Sequence, residues 1–94
     1  MDIIPADLVE VTAGRDKGKY FAVIKVTEDN CLLVCDGKNR KVENPKRKNP
    51  KHIKTTGYSL ELIKNKLNKG NEINNSDIRK SITEGKRALG ILKE

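Results

Sequence analysis

The sequence predicts one small domain, mainly β with α: a small closed or nearly closed β-barrel, then a basic loop, then two C-terminal helices. Three observations predict it. All six Val residues fall between Val9 and Val42, and β-branched side chains favour strands. From Ser59 onward the apolar residues are Leu, Ile and a single Ala set among Lys, Glu and Asn, a composition that suits helices. Between these halves, Asn44 to Gly57 carries Pro45 and Pro50 and is too polar and proline-broken for either period.

Length and composition allow such a domain and little more. A chain of 94 residues buries somewhat over ~60% of the surface its extended form exposes, which permits a real core but no roomy cavity for a large cofactor. Leu, Ile, Val and Phe supply 24 of the 94 residues, above the roughly one-fifth level of disordered, highly charged chains.

Strands are predicted near Asp7–Thr12, Lys19–Thr27 and Asn30–Cys35, with a less marked fourth near Arg40–Glu43. On the second, Tyr20, Ala22, Ile24 and Val26 alternate with Phe21, Val23, Lys25 and Thr27. Its start is therefore apolar on both faces, as a strand of a small barrel must be. Gly14-Arg15-Asp16-Lys17-Gly18 joins the first two strands, Glu28-Asp29-Asn30 makes a tight hairpin, and Asp36-Gly37 closes the third strand with a turn.

The segment 44–57 is expected to be an ordered or semi-ordered basic loop. Ser59 is the expected N-cap of the first helix, because its hydroxyl can accept from a free first-turn amide. Leu60, Ile63 and Leu67 follow on one face, and Gly70 ends the helix. Asn74-Asn75-Ser76-Asp77 starts the second, with Ile78, Ile82 and Leu89 on one stripe and Lys80, Glu84 and Arg87 facing water. Gly85 and Gly90 weaken its latter part, so it should fray after about residue 88. Neither helix is long enough to stand alone, so both should dock on the barrel or on each other. The expected division is residues 1–57 for the barrel, including a basic loop over 38–57, and residues 58–94 for the helical extension.

The charge is unevenly placed. Lys38, Arg40, Lys41, Lys46, Arg47, Lys48, Lys51 and Lys54 face one acid, Glu43, so residues 38–54 hold the whole net charge of +7 and the rest of the chain balances. A polyanion is the partner such a run suits, because each neutralised phosphate releases condensed counterions. Solubility alone would be served by mixed charge, and better by acids.

Other classes find no support. Cys31 and Cys35 fall four strand steps apart, ~13 Å, whereas a disulfide needs Cα atoms within ~7 Å. Zinc would need at least two more ligands, which the single distant His cannot supply. The thiols read as small buried hydrophobes of a cytoplasmic protein. No apolar run is long enough for a membrane span, and Met1-Asp2-Ile3-Ile4-Pro5 is not the start of a secretion signal. No nucleophile and base stand in a plausible catalytic context, so no enzyme, cofactor or small-molecule substrate is expected.

The run Leu8-Val9-Glu10-Val11-Thr12-Ala13-Gly14-Arg15-Asp16-Lys17-Gly18-Lys19 is a strand entering a tight turn with glycine at two places for positive φ or close approach, and basic side chains at its tip. It resembles the KOW motif of ribosomal proteins and NusG-type transcription factors. The continuation Tyr20-Phe21-Ala22-Val23-Ile24-Lys25-Val26, with Pro50-Lys51-His52-Ile53-Lys54 further on, is similar to ribosomal large-subunit proteins of the L-fourteen-e type and their small bacterial KOW-containing counterparts. The similarity spans roughly residues 6–57. Where many KOW sequences place another Gly soon after Gly18, this chain has Tyr20 and Phe21, which favours the ribosomal over the NusG-like type.

The resemblance implies an SH3-like barrel that binds RNA. The candidate contacts are Arg15, Lys17 and Lys19 on the turn, with Gly14 and Gly18 as motif glycines, and Lys38, Arg40, Lys41, Lys46, Arg47, Lys48, Lys51 and Lys54 on the basic segment. His52 can stack on a base or bond a phosphate, or simply pack in the loop. Tyr58 can stack on an unpaired base or turn its ring inward over the first helix. Tyr20, Phe21 and Val23 are most simply core, and three aromatics are too few for a base-stacking sheet face. The expectation is a cytoplasmic monomer that grips the backbone of structured RNA, ribosomal RNA foremost, in a ribosome or translation setting. The alternative is a protein-interaction module of the transcription or translation machinery, its helical stripes partly exposed.

Overall fold

Valine-rich alternation produces strands where it predicts them: β1 (Asp7–Val11), β2 (Tyr20–Val26) and β3 (Leu32–Cys35). The computed structural model, which describes residues 3–92, adds β4 (Lys46–Lys48) inside the segment expected to be a loop and β5 (Ile53–Ser59), which starts there and runs two residues past it. A short 3-10 turn, Pro50–His52, lies between them. The helices are α1 (Glu61–Lys69) and α2 (Asn75–Ala88). The domain is thus a five-stranded antiparallel sheet in the order β4-β3-β2-β1-β5 with two helices. None of its described helices is long and apolar enough to cross a membrane. Of the N-terminal segment read as no secretion signal, Met1 and Asp2 lie outside the described residues.

Both faces of the sheet are buried, for different reasons. Leu8, Ala22 and Cys35 share one face with Leu60 and Ile63 around α1 and with Ile78 and Ile82 of α2. Each fully buried aliphatic side chain contributes ~1.5–3 kcal/mol, so packing rather than propensity holds these helices. Gly85 lets α2 approach closely: a Cβ there would stand 2.9 Å from Leu8 Cδ2. The opposite face gathers Ile3, Val9, Val11, Phe21, Val23, Leu32 and Val34 without any helical side chain. With no second layer over it, that face is dry because the sheet bends over itself. Two register shifts help, at Leu8/Val9 between β1 and β5 and at Val23/Lys25 between β2 and β3, since irregularities of this kind add bend and twist. β4 and β5 remain opposite, unjoined edges, so the sheet is curled but not closed.

Several local expectations are corrected. Arg40–Glu43 is not a strand: the Asp36 carboxylate accepts from the backbone N–H of Lys38 and Arg40 at 2.9 and 2.8 Å, and Asn75 Oδ1 accepts from that of Val42 at 2.8 Å. Those bonds bend the chain into a connection instead of extending it. Ser59 does not cap α1 but ends β5, its hydroxyl buried without a partner. Leu60 occupies the cap position, 1% exposed, so burial sets the start of α1. Leu89 is exposed, because α2 ends at Ala88 and carries it past the sheet. The start of α2 matches expectation: the Asn74 side chain accepts from Asp77 N–H at 2.8 Å and Asp77 accepts from Asn74 N–H at 3.2 Å, a reciprocal cap. Both cysteines are free; Cys35 is buried, and burial pushes its thiol up to about 12, which leaves it inert.

Candidate nucleic-acid interface

The β1–β2 turn is built as its sequence requires. Val11 N–H donates to Lys19 O at 2.9 Å and Gly18 N–H to Val11 O at 2.8 Å, while Gly14 and Gly18 both sit at φ +87°, where side chains are strained. Arg15, Lys17 and Lys19 are exposed on this turn. Asp16 between them does the opposite: it is 8% exposed and points inward.

What Asp16 meets is the edge strand. β4 pairs with β3 so that Lys48 stands opposite Leu32 and Lys46 opposite Val34, both of which face the inside of the curl. Lys46 and Lys48 therefore lean inward from the edge, a device that also discourages edge-to-edge association. Their ammonium groups reach Asp16 at 3.2 and 2.9 Å, and Lys19 joins at 3.5 Å. One carboxylate thus ties the turn to the far edge of the sheet and helps to hold the curl. These ion pairs keep the Asp16 carboxyl well below its ordinary value, with Lys48 the chief cause. Lys46 and Lys48, named as RNA contacts on sequence, are engaged in the fold itself. Three ammonium groups around one carboxylate still leave the cluster positive.

The other candidates divide into three groups. Arg47, on the outer side of β4, pairs with Asp29 of the β2–β3 hairpin; both are largely exposed, so the pair is weak and exchangeable. Lys38 and Lys41 are exposed and Arg40 half-buried on the β3–β4 connection. Lys51 and His52 are exposed on the 3-10 turn, which the bond from Thr12 N–H to His52 O, 2.8 Å, fastens beside the end of β1. Lys54 is exposed on β5, opposite Glu10 in register. Tyr58 is half-buried in the helix-facing cluster, against the backbone of Gly85. Its ring is packed inward, which removes it as a stacking platform.

Two cations that sequence reasoning passed over join the same end of the sheet. Arg79 Nη1 donates to Gly37 O at 2.6 Å, and the Lys86 ammonium lies 5.4 Å from the centroid of the Tyr20 ring. The signal is in the spacing: Arg79, Ile82, Thr83 and Lys86 share one flank of the helix, apart from Lys80, Glu84 and Arg87, the residues expected to face water. The apolar stripes that an interaction module would offer are largely spent on the sheet, with Leu60, Ile63, Ile78 and Ile82 all buried. Among the described residues no group of three or more His, Cys, Asp or Glu is placed to hold a metal ion. Scans against protein-family models and against curated proteins give no match for this chain.

Proposed function

We propose that this protein binds structured RNA through its basic turns, as a ribosome- or translation-associated factor whose curled sheet is an SH3-like domain of the KOW type. The observation that carries the reading is the convergence of charge. The β1–β2 turn, the β3–β4 connection and the 3-10 turn bring Arg15, Lys17, Lys38, Lys41 and Lys51 into solvent, and Asp16 ties the turn to β4 with positive charge left over. No catalytic role is needed, and a cytoplasmic setting suits two free thiols. The second reading, a protein-interaction module, loses ground because Leu60, Ile63, Ile78 and Ile82 of the helical stripes it needs are buried.

Changing Arg15, Lys17 and Lys51 together to Ala should leave the fold intact, since all three are exposed. It should weaken binding to many RNAs alike, because phosphate contacts carry no sequence information directly. The slope of log K against log salt should fall in magnitude by about 2–3, at ~0.7–0.9 per phosphate. Titrations at several salt concentrations read both effects. Altered sequence preference with affinity intact would contradict the phosphate assignment.

A further inference from the structure

A groove opens where the β1–β2 turn and the β3–β4 connection meet α2, with a volume of about 680 Å³. Lys19 and Lys38 stand on its sheet side, Arg79 and Lys86 on its helix side, and Tyr20 and Ile82 are among the residues between them. Resting on the RNA-binding reading, we infer that this groove grips one single strand of RNA, holding its phosphates from both walls.

Three features argue for a strand of nucleotides here. First, the charge is complementary: four cations line the groove against one acid, Asp36, whose Oδ1 already accepts two backbone N–H bonds. Second, the groove is amphipathic. Half-buried Tyr20 and exposed Ile91, both on its lining, offer an apolar surface to a sugar or base, which a site meant for phosphate alone does not need. Third, the two cations on its helix side are set in place before any ligand arrives. Arg79 is anchored on Gly37 O through one of its five donors, and Lys86 is held near the Tyr20 ring by cation–π attraction. Pre-placed cations lose less freedom on binding. The volume lies within the ~300–1,000 Å³ of small-ligand sites, room for part of one strand, whereas a duplex, with its bases paired inside, can lay only its outer phosphates along the rim. Helix α2 is then part of the RNA-binding surface, and the turn contacts and the groove recognise different features of one structured RNA.

The test compares two RNAs on the full chain by fluorescence anisotropy: an unstructured oligouridylate of about ten nucleotides and a stable hairpin stem. The variant is Lys86→Gln, which keeps the aliphatic stem and spares the turn cations; an unfolding midpoint near that of the unaltered protein confirms its fold. Oligouridylate binding is expected to weaken about fivefold and its salt slope to drop in magnitude by about 0.7, with stem binding changed less than about twofold. Lys86→Arg, which keeps the charge and tests the site without disturbing packing, should bind within about twofold of the unaltered protein. If the variant holds oligouridylate as well as the unaltered protein does, or loses both RNAs equally, the groove assignment is overturned while RNA binding stands. If the unaltered protein binds neither RNA, the RNA-binding reading itself fails.

Discussion

Replacing Gly37 by Ala is expected to cost about 3–4 kcal/mol and to lower the unfolding midpoint by more than about 12 °C. Two effects add. The residue lies at φ +74°, where an L side chain costs ~1–2 kcal/mol, and its Cβ would stand 2.4 Å from the backbone oxygen of Asn75 and 3.1 Å from Ile78 Cβ. Backbone cannot swing aside as a side-chain tip can, so the first turn of α2 must shift. That shift strains the bonds from Val42 N–H to Asn75 and from Arg79 to Gly37 O, and overpacking of this kind costs a further ~1–3 kcal/mol. Gly14→Ala is the control: φ is +87° and nothing lies within 4 Å of the new Cβ, so only the ~1–2 kcal/mol backbone cost applies. Thermal unfolding of the two variants side by side measures the difference. Equal losses would mean that α2 is not seated on Gly37 as described.

Replacing Asp16 by Asn is expected to cost about 2–3 kcal/mol, a fall of roughly 10–20 °C in the midpoint. The carboxylate side chain is 12% exposed and Lys48 13%, whereas Lys46 and Lys19 are 35% and 50% exposed. Removing the negative charge leaves Lys48 desolvated beside Lys46, and the wetter lysines keep the loss at the lower end of the range for broken buried pairs. Asp16→Asn with Lys46→Met and Lys48→Met should recover part of the loss, because the uncompensated charge is gone.

The same group sets an acid limb. A carboxyl whose folded value lies below its unfolded value of 3.8 binds its proton more readily when unfolded. Its stabilisation is complete above the unfolded value and is lost as pH falls below about 4 toward the folded one. Asp77 acts in the same direction through Lys66 and the Asn74 N–H. Stability measured from pH ~6 downward should therefore fall less steeply below pH ~4 in Asp16→Asn than in the unaltered protein. Parallel acid limbs would contradict the role given to Asp16.

What was legible in the sequence followed local rules. β1 to β3 announce themselves through Val9, Val11, Val23, Val26 and Val34, the β1–β2 turn through its glycines, and α2 through the Asn74 and Asp77 cap. What was hidden depended on partners far along the chain. Lys46-Arg47-Lys48 between two prolines reads as solvated loop, and it becomes a strand because β3 offers an edge and Asp16, 30 residues away, neutralises charge inside the curl. β5 hides behind Gly57, which turns at φ +76° at the register shift opposite Leu8/Val9. The candidate site was legible as a charge excess but not in its allotment. Which lysines are consumed by the fold, and which α2 residues complete the surface, follows from the curl of the sheet and the docking angle of the helix, and neither leaves a local trace.

The claim on which the rest depends is that exposed cations at one end of this sheet neutralise RNA phosphates. The measurement that tests it most directly is the salt dependence of binding to a structured RNA, titrated between ~50 and ~200 mM salt. With six phosphates contacted, log K should fall against log salt with a slope of about −4 to −5. A slope near zero for every RNA tested would contradict the claim.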